Sequence, residues 1–128
     1  MTKVNHGAPA VDEARFQRLL AMAGDGIADD LISQLHTDLK TAHRNLQAAC
    51  DIRDWPDIRA QSHVIMGLAG TLGAGALHGF ASMLNRTATG PAAGLHLDQG
   101  LVSETLQAIQ AAAGFVARQG AGTKVALL

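Results

Sequence analysis

Aromatic residues, cysteine and proline are all scarce in this chain, and each scarcity narrows what the protein can be. Among 128 residues there are no tyrosines, one tryptophan, three phenylalanines and three prolines. Residues that favour β-strands are therefore few, which favours a helical protein. The single cysteine, Cys50, excludes an intramolecular disulfide and a cysteine-based zinc site. We expect Cys50 to be a small core residue in a reducing compartment.

Charged residues are also few, and their signs nearly balance. Ten basic and 11 acidic residues give a net charge of -1, and charged residues make up 16% of the chain. A nucleic-acid partner is not expected, because such binding needs a basic stripe that displaces counterions from phosphates. The hydrophobic fraction of 48% is enough to fill a single core, and it argues against disorder.

No segment predicts a membrane span or a signal peptide. Residues 64–84 contain no charged residue, but five glycines and His78 dilute their apolar character. The first ten residues contain one lysine and no apolar core. We therefore expect a cytoplasmic protein with no membrane partner.

Apolar residues spaced by three and four predict helices along most of the chain. A first helix begins after Asp12, a suitable N-cap, and ends at residues 24–26. A long helix follows, with one apolar stripe made of Ile27, Leu31, Leu35, Leu39, Ala42, Leu46 and Ala49. Residues 51–56 break this pattern, and Pro56 suits the first turn of a third helix that extends to about Leu72.

Two more helices complete the predicted fold. One follows the glycine-rich break at 73–75, and the last begins near Asp98, after a loop at 89–94, and ends near Gly120. We expect an all-α protein: an antiparallel four-helix bundle with a short additional N-terminal helix, over residues 12–120. Residues 1–11 and 121–128 are expected to be tails. Met22, Phe80 and Met83 are expected to fill the core.

The glycine-rich segment allows two interpretations. Gly70, Gly73 and Gly75 resemble a dinucleotide-binding loop, but such a loop needs a preceding strand, and the helical period of residues 59–63 continues into this segment. As a helix, the segment places four residues on one face: His63, Met66, Gly67 and Gly70. Glycine inside a helix costs up to about 1 kcal/mol relative to alanine. Either another molecule approaches the backbone beside the histidine, or two helices pack closely there.

Residues 62–74 read SHVIMGLAGTLGA, and this stretch resembles the signature of histidine-containing phosphotransfer (HPt) domains. That signature is H-x-L-K-G-x-[SA], followed by three residues and G-A. Five residues occupy its expected positions: His63, Gly67, Ala69, Gly73 and Ala74. The long helix upstream and the apolar positions of the helix downstream are also similar to the family, so the resemblance covers roughly residues 12–120.

The resemblance implies a function for His63. In HPt domains the histidine of a helical bundle takes a phosphoryl group from an aspartate of a response-regulator receiver domain and passes it to another receiver. The implied protein is a phosphoryl carrier rather than a turnover enzyme, and its partners are receiver domains or a hybrid histidine kinase. It needs no cofactor or metal site of its own, because Mg²⁺ comes with the receiver. Gly67 and Gly70 would leave room for the receiver to close over the histidine and exclude water.

The chain departs from the family at Met66, where the family has a lysine whose ammonium meets the phosphoryl oxygens. Our hypothesis is that Arg59, one helical turn before His63, supplies the missing charge, with Arg86 as a second candidate. Asn85 stands where the family often has Glu or Gln, and we expect it to orient the imidazole through a hydrogen bond. These departures leave a second function open, an HPt-like adaptor that binds a receiver or kinase without carrying phosphate.

Overall fold

The computed structural model describes residues 11–89 and 96–127, with side chains described as far as Gln119. These residues form α1 (Glu13–Ala23), α2 (Asp25–Asp51), α3 (Trp55–Leu72), α4 (Gly75–Thr87) and α5 (Gln99–Leu127), and no strand. Helix α2 packs against α3 and α5, and α4 packs against the same two helices from the other side. The all-α prediction of a four-helix bundle, α2 to α5, with an additional N-terminal helix is confirmed. None of the helices described here is long and apolar enough to cross a membrane.

The beginnings of α1 and α3 follow from the two aspartates that precede them. The Asp12 carboxylate accepts a hydrogen bond from the Arg15 backbone N–H at 3.1 Å, and Asp54 accepts one from the Asp57 N–H, also at 3.1 Å. Each carboxylate satisfies one of the free N–H groups at a helix start. Pro56 lies in the first turn of α3, where its missing N–H costs nothing.

Gly73 ends α3 and reverses the chain direction. Its φ of 66° lies in the left-handed region, and the N–H groups of Gly73 and Ala74 donate to the carbonyls of Gly70 and Ala69. A Cβ atom at Gly73 would also lie 2.6 Å from the Asp12 Cβ. Glycine is therefore required at this turn for two reasons: the positive φ angle, and the close approach of the chain before α1.

One buried core joins the helices. Its largest fully buried side chains come from every helix: Phe16, Leu39, Leu46, Ile58, Ile65, Leu72, Leu77, Leu84, Ile109 and Val116. Helix α1 covers one part of this core through Phe16, whose ring meets Phe115 edge-on with centroids 5.4 Å apart. Val11 is also buried, at 3% exposure, so the predicted N-terminal tail is wrong at this residue.

The predicted stripe of α2 is wrong at its first residue, since Ile27 is 64% exposed. Residues four positions apart point in directions that differ by about 40° around the helix axis. Three such steps place Ile27 about 120° away from Leu39. Ile32 lies only about 20° from Leu39 by the same geometry and is buried instead.

Three further expectations need correction. Helix α5 continues to Leu127, so its predicted end near Gly120 is wrong; no proline interrupts it, and glycine only weakens a helix. Phe80 packs against the core, but Met22 and Met83 are 85% and 46% exposed, because each lies about 100° or more around its helix from the fully buried residues. Residues 1–10, 90–95 and 128 lie outside the described part of the chain.

Candidate functional site

His63 projects from the exposed side of α3, near the middle of that helix. The opposite side of α3 is its core face, made of Ile58, Ser62, Ile65, Ala69 and Leu72. An imidazole in this position is anchored by a well-packed helix and is open to an approaching molecule. Its ring has no hydrogen-bond or ion-pair partner among the side chains that the structure describes.

An open depression of about 510 Å³ surrounds His63. It is lined by the N-terminal half of α3 and the end of α4: Pro56, Arg59, Ala60, His63, Asn85 and Thr89. The structure thus brings together three residues proposed from the sequence as a chemical group, namely His63, Arg59 and Asn85. The depression is large enough for a phosphoryl group and open enough for part of a second protein to enter.

Asn85 ties α4 to α3 directly behind the histidine. Its side-chain NH₂ donates to the Arg59 carbonyl and to Ser62 Oγ, both at 3.1 Å, while Ser62 Oγ donates to the same carbonyl at 2.9 Å. These bonds use only the amide nitrogen, so Oδ1 is left as an acceptor beside the depression. Asn85 does not hydrogen-bond His63 here, in contrast to the role expected from the sequence.

Ser62 is a site residue that the sequence analysis missed. Its side chain is fully buried, at 0% exposure, and it satisfies its hydroxyl within the three-residue network with Asn85 and Arg59. The available signal was a polar residue within the apolar core stripe of α3. Such a residue normally has a partner when it is buried, and the partner lies 23 positions away on α4.

The two arginines proposed as phosphoryl-binding groups are placed differently. Arg59 is exposed and lines the depression, and its guanidinium has no partner within the described part of the chain. Arg86 does not line the depression, and its Nη1 donates to Ser82 Oγ at 3.0 Å. Of the two cations, Arg59 is the one that the fold places beside His63.

Met66, Gly67 and Gly70 have distinct environments. Met66 is partly buried and packs against the hydrophobic core. Gly67 and Gly70 are exposed, and a Cβ atom built on either would meet no heavy atom within 4 Å. Internal packing therefore does not require glycine at these two positions.

Neither a metal cluster nor a reactive thiol is found among the described residues. No group of three or more His, Cys, Asp or Glu side chains there is arranged to hold a metal ion. Burial is the main cause, and the neighbouring Asp51 carboxylate adds to it, so that together they raise the pKa of the Cys50 thiol to about 11 against a smaller opposing effect of Arg53. A thiol with such a pKa is not a useful nucleophile at neutral pH.

Comparison with known proteins concerns the fold. No protein-family model and no curated protein matches the sequence. Among solved structures, the chain is similar to the crystal structure of histidine-containing phosphotransfer protein B (HptB) from Pseudomonas aeruginosa PAO1, with a TM-score of 0.75 and 19% sequence identity. The match covers 88% of this chain and 96% of the HptB chain. The chain therefore has the fold of a histidine-containing phosphotransfer protein.

Proposed function

We propose that the protein is a phosphorelay carrier, in which His63 accepts a phosphoryl group from a receiver-domain aspartate and passes it to another receiver. The observation that carries the proposal is an exposed histidine, halfway along α3 of an HPt fold, that shares an open depression with an unpaired arginine, Arg59. Such a carrier would act in the cytoplasm, and its partners would be receiver domains or a hybrid histidine kinase.

The chemistry requires one nucleophile and little else from this chain. The unprotonated imidazole nitrogen attacks the phosphorus, an N–P bond forms, and the P–O bond to the aspartate breaks, so the aspartate leaves as a carboxylate. The other ring nitrogen keeps its proton and needs an acceptor. We assign this role to Asn85 Oδ1, because Asn85 lines the same depression as His63 and its NH₂ is already engaged with α3. The same steps in reverse deliver the phosphoryl group to the next receiver.

Charge stabilisation is assigned to Arg59 and to the partner. Phosphoryl transfer depends mainly on positioning and on neutralising the charge of the equatorial oxygens. The Arg59 guanidinium, with five N–H donors, suits that role. It would replace the charge that is missing at Met66, where the family has a lysine. The Mg²⁺ ion is assigned to the receiver, which would bring it to His63 when the two proteins dock.

Gly67 and Gly70 are assigned to the approach of the receiver. Both lie on the face of α3 that carries His63, and each lowers helix stability without relieving any internal contact. A partner whose loops rest on the α3 backbone gives a physical reason for these residues. Closure of those loops would also keep water away from the phosphoryl group.

The test is transfer of labelled phosphate from a phosphorylated receiver domain. We expect acid-labile, base-stable label on the native protein and none on His63→Gln. His78→Gln is the matched control, because His78 is also an exposed histidine on the α3–α4 pair. Label that persists in His63→Gln, or that disappears only in His78→Gln, contradicts the assignment.

Met66 favours a second candidate function, a non-catalytic adaptor that binds a receiver or kinase without carrying phosphate. Its side chain packs against the core and leaves no charge three residues after His63. Under the carrier proposal, Met66→Lys adds a cation beside the phosphoryl group and speeds transfer. Under the adaptor alternative the native chain transfers nothing, and a receiver binds His63→Gln as tightly as it binds the native protein.

A further inference from the structure

Two polar side chains are buried in the part of the bundle that the structure describes, and they differ in what they bind. Ser62 on α3 and Thr105 on α5 are both at 0% exposure. The Thr105 hydroxyl donates to the Leu101 carbonyl of its own helix at 2.7 Å. The Ser62 hydroxyl also donates to a carbonyl of its own helix, that of Arg59, but it accepts a further bond from Asn85 on α4. Ser62 therefore links two helices, in addition to being satisfied within α3.

Ser62 belongs to a closed triangle of polar atoms behind the depression. Asn85 Nδ2 lies 3.1 Å from the Arg59 carbonyl oxygen and 3.1 Å from Ser62 Oγ, and the third edge, from Ser62 Oγ to the carbonyl oxygen, is 2.9 Å. In the i→i−4 pattern of an α-helix, the same carbonyl accepts the backbone N–H of His63. The triangle thus joins α4 to the one turn of α3 that carries both His63 and Arg59.

The chemistry of the three atoms determines which end of the Asn85 amide faces α3. A backbone carbonyl can only accept hydrogen bonds, and a serine hydroxyl has one proton, which Ser62 gives to that carbonyl. Both atoms that face Asn85 therefore offer lone pairs, and the amide has to present its NH₂ to them. Its Oδ1 is left for the depression that Asn85 shares with His63.

The opposite orientation of the amide would interfere with phosphoryl transfer. It would turn the Asn85 NH₂ towards the depression, where a donor would engage the ring-nitrogen lone pair that attacks phosphorus. The ring nitrogen of His63 that carries the proton would at the same time lose its acceptor. The orientation of this amide therefore matters for the nucleophile, and not only for the packing of α3 against α4.

We propose that Ser62 is a positioning residue for phosphoryl transfer, because its buried hydroxyl, through Asn85, keeps the amide oxygen turned towards the depression that contains His63. The inference rests on the proposed function, since it concerns the nucleophile of that reaction. Ser62 does not itself line the depression, so we assign its influence on the ring to Asn85.

The experiment measures phosphorylation of His63 by phosphoramidate, a small donor that needs no receiver. The ring nitrogen attacks phosphorus, an N–P bond forms, the P–N bond of the protonated donor breaks, and ammonia leaves. Ser62→Ala removes the hydroxyl and leaves a residue that suits a helix, so the variant should fold. Thr105→Val is the matched control, because it also removes a buried, helix-bonded hydroxyl but one that does not line the depression.

We expect Ser62→Ala to slow phosphorylation of His63 about three- to tenfold, as the loss of one neutral hydrogen bond from the triangle implies. Thr105→Val should change the rate by less than about twofold, because it lies outside the network. The double variant Ser62→Ala/Asn85→Ala should react no more slowly than Asn85→Ala alone, since Ser62 acts through Asn85. With a phosphorylated receiver as donor, Ser62→Ala should lower the maximal rate and leave the half-saturating receiver concentration within about twofold of native.

Several results would overturn the inference. Ser62→Ala might react at the native rate, or slow the reaction no more than Thr105→Val does. The effects of Ser62→Ala and Asn85→Ala could multiply in the double variant, which would show that Ser62 does not act through Asn85. With a receiver as donor, a change confined to the half-saturating concentration would show an effect on binding instead of on the nucleophile.

The proposed function and the positioning role fail separately. If phosphoramidate labels His63 and Ser62→Ala slows that reaction, but no receiver donates or accepts the label, Ser62 remains a positioning residue and the carrier function falls. If receivers load and unload His63 at equal rates in the native protein and in Ser62→Ala, the carrier function stands and Ser62 has no positioning role. If neither donor labels His63 in the native protein, both are wrong.

Discussion

Gly67 and Gly70 give a prediction in which stability and function change in opposite directions. The double variant Gly67→Ala/Gly70→Ala adds two methyl groups to the exposed face of α3. A Cβ at either position meets no heavy atom within 4 Å, so the fold gains helix propensity without strain. Each replacement is expected to raise the free energy of unfolding by about 0.5–1 kcal/mol, or about 1–2 kcal/mol together.

The assay measures thermal unfolding and phosphoryl transfer on the same variants. The midpoint of thermal unfolding should rise by about 3–10 °C in a domain of this size. Phosphoryl transfer from a receiver should slow by about fivefold or more, because the added methyl groups occupy space that the partner's backbone would fill. A steric misfit of this kind weakens binding by about 1 kcal/mol or more.

Two other glycines serve as controls. Gly114→Ala on α5 places its Cβ 3.5 Å from an Arg118 nitrogen, an ordinary contact, so we expect added stability with no loss of transfer. Gly73→Ala should instead lose about 2 kcal/mol, since its φ is 66° and its Cβ would lie 2.6 Å from Asp12. Transfer by the Gly67/Gly70 double variant at the native rate would refute the clearance role of these glycines.

Four further predictions concern other parts of the structure. Cys50 should react with iodoacetamide at pH 8 at least about 100-fold more slowly in the native protein than in guanidinium, because burial raises its pKa to about 11. Since that pKa is raised on folding, the stability it contributes should be full below pH 9 and lost as the pH rises towards 11, which urea unfolding at several pH values measures. Asp12→Ala should lower the free energy of unfolding by about 1 kcal/mol in the same assay, because the α1 cap is lost. Asp12→Asn should keep most of that stability, since asparagine is also a good N-cap. Asn85→Ala should cost about 1–3 kcal/mol by removing both bonds to Arg59 and Ser62, and an unchanged midpoint would show that this network contributes nothing to stability.

Local signals in the sequence predicted the helices well because their causes are local. The Asp12 cap, the position of Pro56 in the first turn of α3 and the left-handed turn at Gly73 each depend on a few neighbouring residues. These features, with apolar spacing, predicted the helix order and most boundaries. Ile27 shows the limit, since a stripe counted in steps of four drifts around a helix that repeats every 3.6 residues.

The candidate site was predictable only in part, because it depends on how α3 and α4 align. The exposed face with His63, Gly67 and Gly70 follows from helix geometry alone. The contact of Asn85 with Ser62 depends on the register between two helices, which the sequence does not specify. For the same reason, sequence spacing could not decide between Arg59 and Arg86, whereas the structure places only the former beside His63.

The relay itself can be followed with a pulse of labelled receiver. A phosphorylated donor receiver is mixed with the native protein, and a second receiver is added after the donor has been removed. We predict that the label leaves the donor, is mapped to His63 by mass spectrometry under basic conditions, and then moves to the second receiver. An unmodified His63, with the label released as inorganic phosphate or found on another residue, would contradict the proposal.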